Sequence, residues 1–148
     1  MALGERWACG REFLNSVEES VHQDLSREIH RLGIPGFDIQ KARIVHRSGG
    51  NAFYVSLSRN LLSLKGKLTG ANLWIEEGEG LTPDQWRHIE PTRRKAGAQA
   101  WILYNPRFVT DFVETFKTSR ENGVLVRHIN YTENPFLSDT AKRKIARL

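Results

Sequence analysis

The chain has 148 residues, which is the size of one domain or of a piece of one and is enough to bury a hydrophobic core. A hydrophobic content of 39% and a charged content of 26% exclude a disordered or fibrous chain. No apolar run reaches the roughly 18 residues that span a bilayer. Cys9 is the only cysteine, which excludes a disulfide framework within one chain. The net charge of +5 favours polyanionic partners such as nucleic acid.

The first half predicts one helix followed by strands. Apolar residues recur every three or four positions from Phe13 to Leu32, the pattern of an amphipathic helix that Gly33 and Pro35 end. Before it, Trp7–Cys9 is only a short apolar segment. Strands are predicted at 37–39, 42–45 and 53–57, with a hairpin turn at 48–51 between the last two.

The second half alternates strands and helices. After a polar-apolar connector at 60–70 with room for one helical turn, the apolar run 71–75 predicts a strand buried on both faces of a sheet. Thr82, Pro83 and Gln85 form a complete helix start with a capping box. Further strands are predicted at 98–104 and 124–129, with helices beginning near Thr110 and Ser138. This order predicts an α/β fold with βαβ units, a mostly parallel sheet flanked by helices, and an inserted β-hairpin.

Two adjacent acids, Glu76 and Glu77, end the buried strand at 71–75. In an open α/β sheet, ligands bind beyond the carboxyl ends of the strands. One acid there can hold Mg²⁺ while its neighbour orients or deprotonates a water. The other interpretation is a solvated acidic turn, because "EEGEG" also suits a loop, and spacing alone leaves both open.

Asn105 ends the next predicted strand, and its amide would lie beside the two acids if the strands are neighbours. A simple Asn-Pro turn is the alternative reading. The phosphate-binding motif G-x-x-x-x-G-K-[ST] occurs nowhere in the chain. The sequence therefore predicts the metal-and-water half of a nucleotide site without the half that grips phosphates.

Three stretches together resemble the large terminase subunit of tailed bacteriophages, the DNA-packaging motor. They are "REFLNSVEESVHQDLSREIHRLG", "LWIEEGEGLTPDQWRHIEPTRRKAGAQAWILYNPRFVTDFV" and "VRHINYTENPFLSD". The resemblance runs from about Arg11 to Ser138 and includes a prophage-type Walker B segment, "LWIEE". It implies an incomplete P-loop NTPase fold of the RecA/Rossmann-like kind. Residues 1–148 would then be one partial domain, the later two-thirds of an ATPase domain, with 130–148 starting a linker toward a nuclease domain.

The resemblance also implies roles for individual residues. Glu76 matches the acid that holds Mg²⁺, and Glu77 matches the catalytic glutamate that activates the hydrolytic water. Asn105 matches the strand-end polar residue of the coupling motif. Lys65 and Lys67 fall where relatives often carry a trans-acting arginine, and lysine lacks the planar guanidinium fork of that residue.

The implied cofactors are ATP and Mg²⁺, and the implied partners are double-stranded DNA, the portal protein and the small terminase subunit, with a possible homo-oligomer and no membrane. The implied compartment is the cytoplasm of the host bacterium. Without the phosphate-gripping loop, we expect no ATPase activity from this chain alone. The alternatives are an inert prophage remnant, a basic module that binds DNA or a partner without catalysis, and a fragment that complements a separately encoded phosphate loop.

Overall fold

The computed structural model describes residues 4–11, 14–58, 61–119, 123–135 and 137–145. The strands are β1 (Arg6–Arg11), β2 (Phe37–Gln40), β3 (Arg43–His46), β4 (Asn51–Ser56), β5 (Asn72–Ile75) and β6 (Ala100–Ile102). The α-helices are α1 (Leu14–Leu32), α2 (Leu61–Leu68), α3 (Pro83–Ile89), α4 (Thr115–Thr118) and α5 (Asp139–Ile145). Short 3₁₀ turns lie at Gly78–Gly80, Glu90–Thr92, Phe112–Glu114 and Tyr131–Glu133. Contacts divide the chain into two units, residues 1–115 and 116–148.

The six strands form one mixed sheet in the order β2-β3-β4-β1-β5-β6. The pairs β4–β1, β1–β5 and β5–β6 are parallel, whereas β2–β3 and β3–β4 are antiparallel. The predicted α/β class, the mostly parallel core and the β-hairpin are confirmed. The hairpin strands extend the sheet at its β4 side rather than standing apart from it.

The handedness of the connections places helices on both faces of the sheet. The chain passes from β1 to β4 through α1, then back across β1 from β4 to β5 through α2. Since such crossovers are right-handed, the reversal of direction puts α1 and α2 on opposite faces. On the α1 face, Val21, Leu25 and Ile29 pack with Cys9 and with Tyr54 of β4.

Local signals act as predicted at several element ends. Gly33 adopts a left-handed φ of 59°, and its amide donates to the carbonyl of His30 at the end of α1. At the start of α3, the Thr82 hydroxyl accepts from the Gln85 amide while the Gln85 side chain accepts from the Thr82 amide. Ser138 accepts from the amide of Ala141 and so caps α5. Phe13, at the head of the predicted stripe, lies outside the described residues.

Three sequence expectations need correction. The short apolar segment at Trp7–Cys9 is part of β1, which lies in the middle of the sheet between β4 and β5. The connector at 60–70 contains the two-turn helix α2. The strand predicted at 124–129 is wrong, because this segment is exposed and has no strand pairing in the described structure. β-branched residues form a strand only where neighbours complete the ladder and cover a face.

Leu68 is fully buried at the end of α2, so Leu68→Ala should leave a cavity. We expect the free energy of unfolding to fall by about 2 to 5 kcal/mol. The matched control is Leu32→Ala at the end of α1, where the side chain is 54% exposed and the change should stay within about 0.5 kcal/mol. Urea unfolding followed by far-ultraviolet circular dichroism measures both. Equal losses in the two variants would contradict this assignment of the core.

Candidate functional site

The site is built at the carboxyl ends of β1, β5 and β6, which the parallel register brings to one edge of the sheet. Gly10 of β1, Ile75 of β5 and Ile102 of β6 stand side by side in this register. Beyond Ile75, the Glu76 amide donates to the Gly10 carbonyl at 3.0 Å, and the Gly78 amide donates to the Leu103 carbonyl at 2.9 Å. The residues after β5 are therefore tied to both neighbouring strands.

Glu77, between these two hydrogen bonds, adopts a left-handed backbone conformation with φ 52° and ψ 41°. It is the only non-glycine residue with positive φ in the described part of the chain. This conformation costs an L-residue roughly 1 to 2 kcal/mol, and it persists where the surrounding structure enforces it. Adjacent side chains on a strand point to opposite faces. The turn at Glu77 ends that alternation, so the side chain is free to turn toward that of Glu76.

Arg11 is the residue on which the two acids converge. Its Nη2 atom lies 3.4 Å from Oε2 of Glu76 and 2.9 Å from Oε1 of Glu77. The Arg11 side chain is 17% exposed, against 28% for Glu76 and 54% for Glu77. One largely enclosed guanidinium thus compensates two carboxylates, which leaves the cluster with a formal charge of −1. Glu76 is the more enclosed of the two acids, whereas Glu77 remains exposed at the turn.

Glu76 is held from a second direction. The indole of Trp74, two residues earlier on the same face of β5, donates to Oε1 of Glu76 at 3.3 Å. The Trp74 ring stacks on Trp101 of β6, with ring centroids 6.3 Å apart. The carboxylate of Glu76 therefore has one oxygen directed at Trp74 and the other at Arg11, which fixes its orientation at the sheet edge.

The acids line a small cleft beside α3. Its walls are Leu57, Ile75, Glu76, Glu77, Gly78, Gly80, Leu81 and Gln85. The Gln85 side chain donates to the Leu57 carbonyl at 3.0 Å and so attaches the start of α3 to the end of β4. The cleft lies at the carboxyl edge of the sheet, which is where ligands bind in open α/β folds.

The loop after β6 carries Asn105 toward this corner. Its first residue, Leu103, accepts from the Gly78 amide, and its later residue Arg107 forms an ion pair with Glu79. Asn105 lies between these two attachments and is exposed. The structure therefore places the Asn105 loop beside the loop that carries the acids.

Lys65 and Lys67 are not part of this corner. Both are exposed on α2. The end of α2 lies against the start of β1, where the Arg6 guanidinium donates to the carbonyls of Lys67 and Thr69. Arg6 begins β1 and Arg11 ends it. The end of α2 and the acid pair therefore lie at opposite ends of this strand.

Sequence reasoning missed Arg11, Glu79 and Arg107. Arg11 follows the apolar segment at Trp7–Cys9 by two residues, so recognising that segment as a strand would have placed Arg11 at a strand end, in the same position as Glu76. No sequence signal pairs Glu79 with Arg107, because they are 28 residues apart and meet only through the pairing of β5 with β6.

A family model described as phage terminase large subunit matches residues 4–148. The chain belongs to the phage terminase large subunit family. No curated protein sequence matches it significantly.

Solved terminase structures share this fold. The large terminase of a thermophilic bacteriophage superposes with a TM-score of 0.79 at 16% identity, over 97% of this chain and 37% of that one. The same terminase in complex with ATP-gamma-S gives a TM-score of 0.71 at 13% identity, over 97% and 36%. The ATPase domain of the Thermus phage P74-26 large terminase gives 0.58 at 18% identity, over 84% and 57%.

These identities establish the fold alone. The fold is that of a terminase ATPase domain, of the P-loop NTPase type. The chain spans little more than a third of the length of the thermophilic phage terminase. In the described part of the chain, none of the helices combines the length and the apolar character that crossing a bilayer requires.

Gly78 tests how tightly the acid-bearing loop packs on β6. A Cβ at this position would lie 2.5 Å from Cγ2 of Ile102 and 3.3 Å from the Leu103 carbonyl oxygen. We expect Gly78→Ala to lower the free energy of unfolding by about 1 to 3 kcal/mol, because a stiff β-branched side chain cannot move away cheaply.

The matched control is Gly66→Ala in α2, where a Cβ would meet nothing within 4 Å. There the substitution should stabilise by about 0.5 to 1 kcal/mol, since alanine loses less conformational entropy in a helix. Chemical denaturation measures both changes. A neutral Gly78→Ala variant would contradict the close packing of the two loops.

Cys9 gives a pH-dependent prediction. Burial, with a smaller contribution from the negative charge of Glu76, raises the pKa of the Cys9 thiol from 9.0 to about 12. In the unfolded chain the thiol loses its proton at lower pH, so above about pH 9 the native state binds more protons than the unfolded state. Stability should then fall as pH rises toward 12, by up to about 1.4 kcal/mol per pH unit from this group.

Replacing Cys9 by alanine removes this contribution, so the stability difference between wild type and Cys9→Ala should shrink or reverse between pH 8 and pH 11. Urea unfolding of both proteins across this range measures it. A difference that is independent of pH would show that the thiol is not held protonated by the fold.

Proposed function

We propose that the chain supplies the metal-and-water side of the ATP-hydrolysing site of a phage DNA-packaging motor. The observation that carries this proposal is the convergence of Glu76 and Glu77 on one cation, Arg11, at the carboxyl edge of the sheet. Two acids and one arginine leave a formal charge of −1, and this residual negative charge would attract a divalent cation. Membership of the terminase family supports the choice of nucleotide.

The residues fit Mg²⁺ that arrives with a nucleotide. Mg²⁺ is usually bound through one or two carboxylates, several waters and substrate phosphates. Glu76 would hold it, since this carboxylate is the more enclosed of the two and is oriented by Trp74. When bound, the metal neutralises charge that develops on the phosphates during transfer.

Glu77 would act on water. Its carboxylate is the more exposed of the two and is positioned by the left-handed turn, so Oε1 or Oε2 can accept a proton from a water in the cleft. Arg11 lies against the same carboxylate and would hold it in place. Asn105, on the loop attached to Gly78, would donate or accept a hydrogen bond at the terminal phosphate or at the attacking water.

Lys65 and Lys67 fit a role in trans better than a role at their own acids. They are exposed on α2, whose end contacts the first residue of β1, whereas Glu76 and Glu77 pair with the last residue of that strand. In an assembly of several subunits, Lys65 and Lys67 would act on the nucleotide of a neighbour. The Lys ammonium would act there as a point charge.

The phosphate-gripping side would come from a second segment, because the sequence contains no G-x-x-x-x-G-K-[ST] motif. The partners that follow from the family are double-stranded DNA, the portal protein and the small terminase subunit, in an assembly of several copies in the host cytoplasm. The net charge of +5 suits the DNA phosphates.

Calorimetric titration of ATP with and without Mg²⁺ tests this function. We expect binding that requires Mg²⁺ and that weakens at least about tenfold, or about 1.4 kcal/mol, in Glu76→Gln. Glu77→Gln should bind nearly as wild type does, since its proposed partner is a water. Glu90→Gln, at an exposed acid outside the cleft, serves as the control.

Binding that is independent of Mg²⁺, or equal in wild type and Glu76→Gln, would contradict the assigned roles. No detectable binding, together with DNA affinity that falls steeply with salt, would instead support a non-catalytic DNA-binding module.

A further inference from the structure

An ion pair joins the loop after β5 to the loop after β6. Nη2 of Arg107 donates to Oε1 of Glu79 at 2.8 Å. The two ends differ in environment, because the Glu79 side chain is 5% exposed and the Arg107 side chain is 63% exposed. The carboxylate is largely shielded from solvent, and the guanidinium that reaches it from the surface compensates its burial.

Among the described residues, Arg107 is the ion-pair partner of Glu79. Its second oxygen, Oε2, is buried and makes no hydrogen bond to any residue that the structure describes. A separation of the two loops at this point would leave a buried carboxylate without compensation. The pair therefore favours the arrangement in which the loop after β6 stays close to the loop after β5.

Both members of the ion pair lie close in sequence to residues of the proposed site. Glu79 follows Glu77 by two residues, and Arg107 follows Asn105 by two residues. Residues 103–108 have no regular secondary structure, so their conformation depends on attachments to other elements. One attachment is the Gly78 amide to Leu103, and the other is Glu79 to Arg107; Asn105 lies between them.

We propose that Glu79 and Arg107 are positioning residues that hold the exposed amide of Asn105 at a defined place beside the loop that carries Glu77. Neither needs to touch nucleotide or metal. The proposal rests on the proposed function only for what Asn105 and Glu77 act on, whereas the positioning is a property of the free chain.

The alternative is an ion pair that contributes stability alone. The two interpretations predict different effects of breaking the ion pair. A structural pair alters the unfolding midpoint, whereas a positioning pair alters the surroundings of Asn105 and Gly78. The chain offers a matched control in Arg87 and Asp84, an ion pair of 3.5 Å on α3 in which both side chains are largely exposed.

Nuclear magnetic resonance of the ligand-free, full chain tests the proposal. In Arg107→Ala, we expect shifted side-chain amide signals of Asn105 and hydrogen exchange at the Gly78 amide that is at least about tenfold faster. Arg107→Lys should restore both readouts, because one N–H···O contact joins the pair. Arg87→Ala should leave both at their wild-type values.

Wild-type signals at Asn105 and Gly78 in Arg107→Ala would overturn the proposal, whether or not thermal stability falls. If that variant does not fold, Glu79→Gln replaces it, since the amide keeps the shape and an acceptor but removes the charge. Smaller changes in the same signals are expected there, and unchanged signals would overturn the proposal equally.

A titration of the same labelled chain with ATP and Mg²⁺ separates this inference from the proposed function. Absence of ligand-induced shifts in wild type would contradict the nucleotide role of Glu76 and Glu77. It would leave the ligand-free comparison of Arg107→Ala, Arg107→Lys and wild type intact.

Discussion

The backbone hydrogen bonds on either side of Glu77 are the constraint on which the rest of the site depends. The Glu76 amide is bonded to β1 and the Gly78 amide to the residue after β6, so the chain between them has to turn within one residue. Glu77 meets that requirement with a left-handed conformation. Without it, strand alternation would send the two acids to opposite faces of the sheet, and no single cation could pair with both.

Compensation by arginine explains why a basic chain carries acids at this edge. Arg11 pairs with Glu76 and Glu77, and Arg107 pairs with Glu79. Both arginines lie at or beyond the ends of strands that neighbour β5. The parallel core thus gathers three acids and two arginines from distant parts of the sequence, because parallel strands bring their carboxyl ends to one edge.

Sequence reasoning succeeded where a signal is local. The stripe that ends at Gly33, the capping box at Thr82 and the apolar run of β5 each depend on residues within a few positions of one another. It failed where pairing decides. β1 has only three consecutive apolar residues and is a strand because β4 and β5 flank it, whereas 124–129 has strand-forming residues but no strand partner in the described structure.

The sequence by itself determined the α/β class, most element positions and the placing of Glu76 and Glu77 at the end of β5. Asn105 does not end a strand as predicted, because β6 stops at Ile102 and Asn105 lies in the loop that follows. Only the tertiary structure decided that Arg11 stands between the acids, that Glu77 turns left-handed and that Arg107 reaches Glu79. The physical reason is that local patterns of polarity and turn residues determine where a strand ends. The neighbours of a strand end depend instead on strand order, which is set by how helices and strands far apart in the sequence pack together.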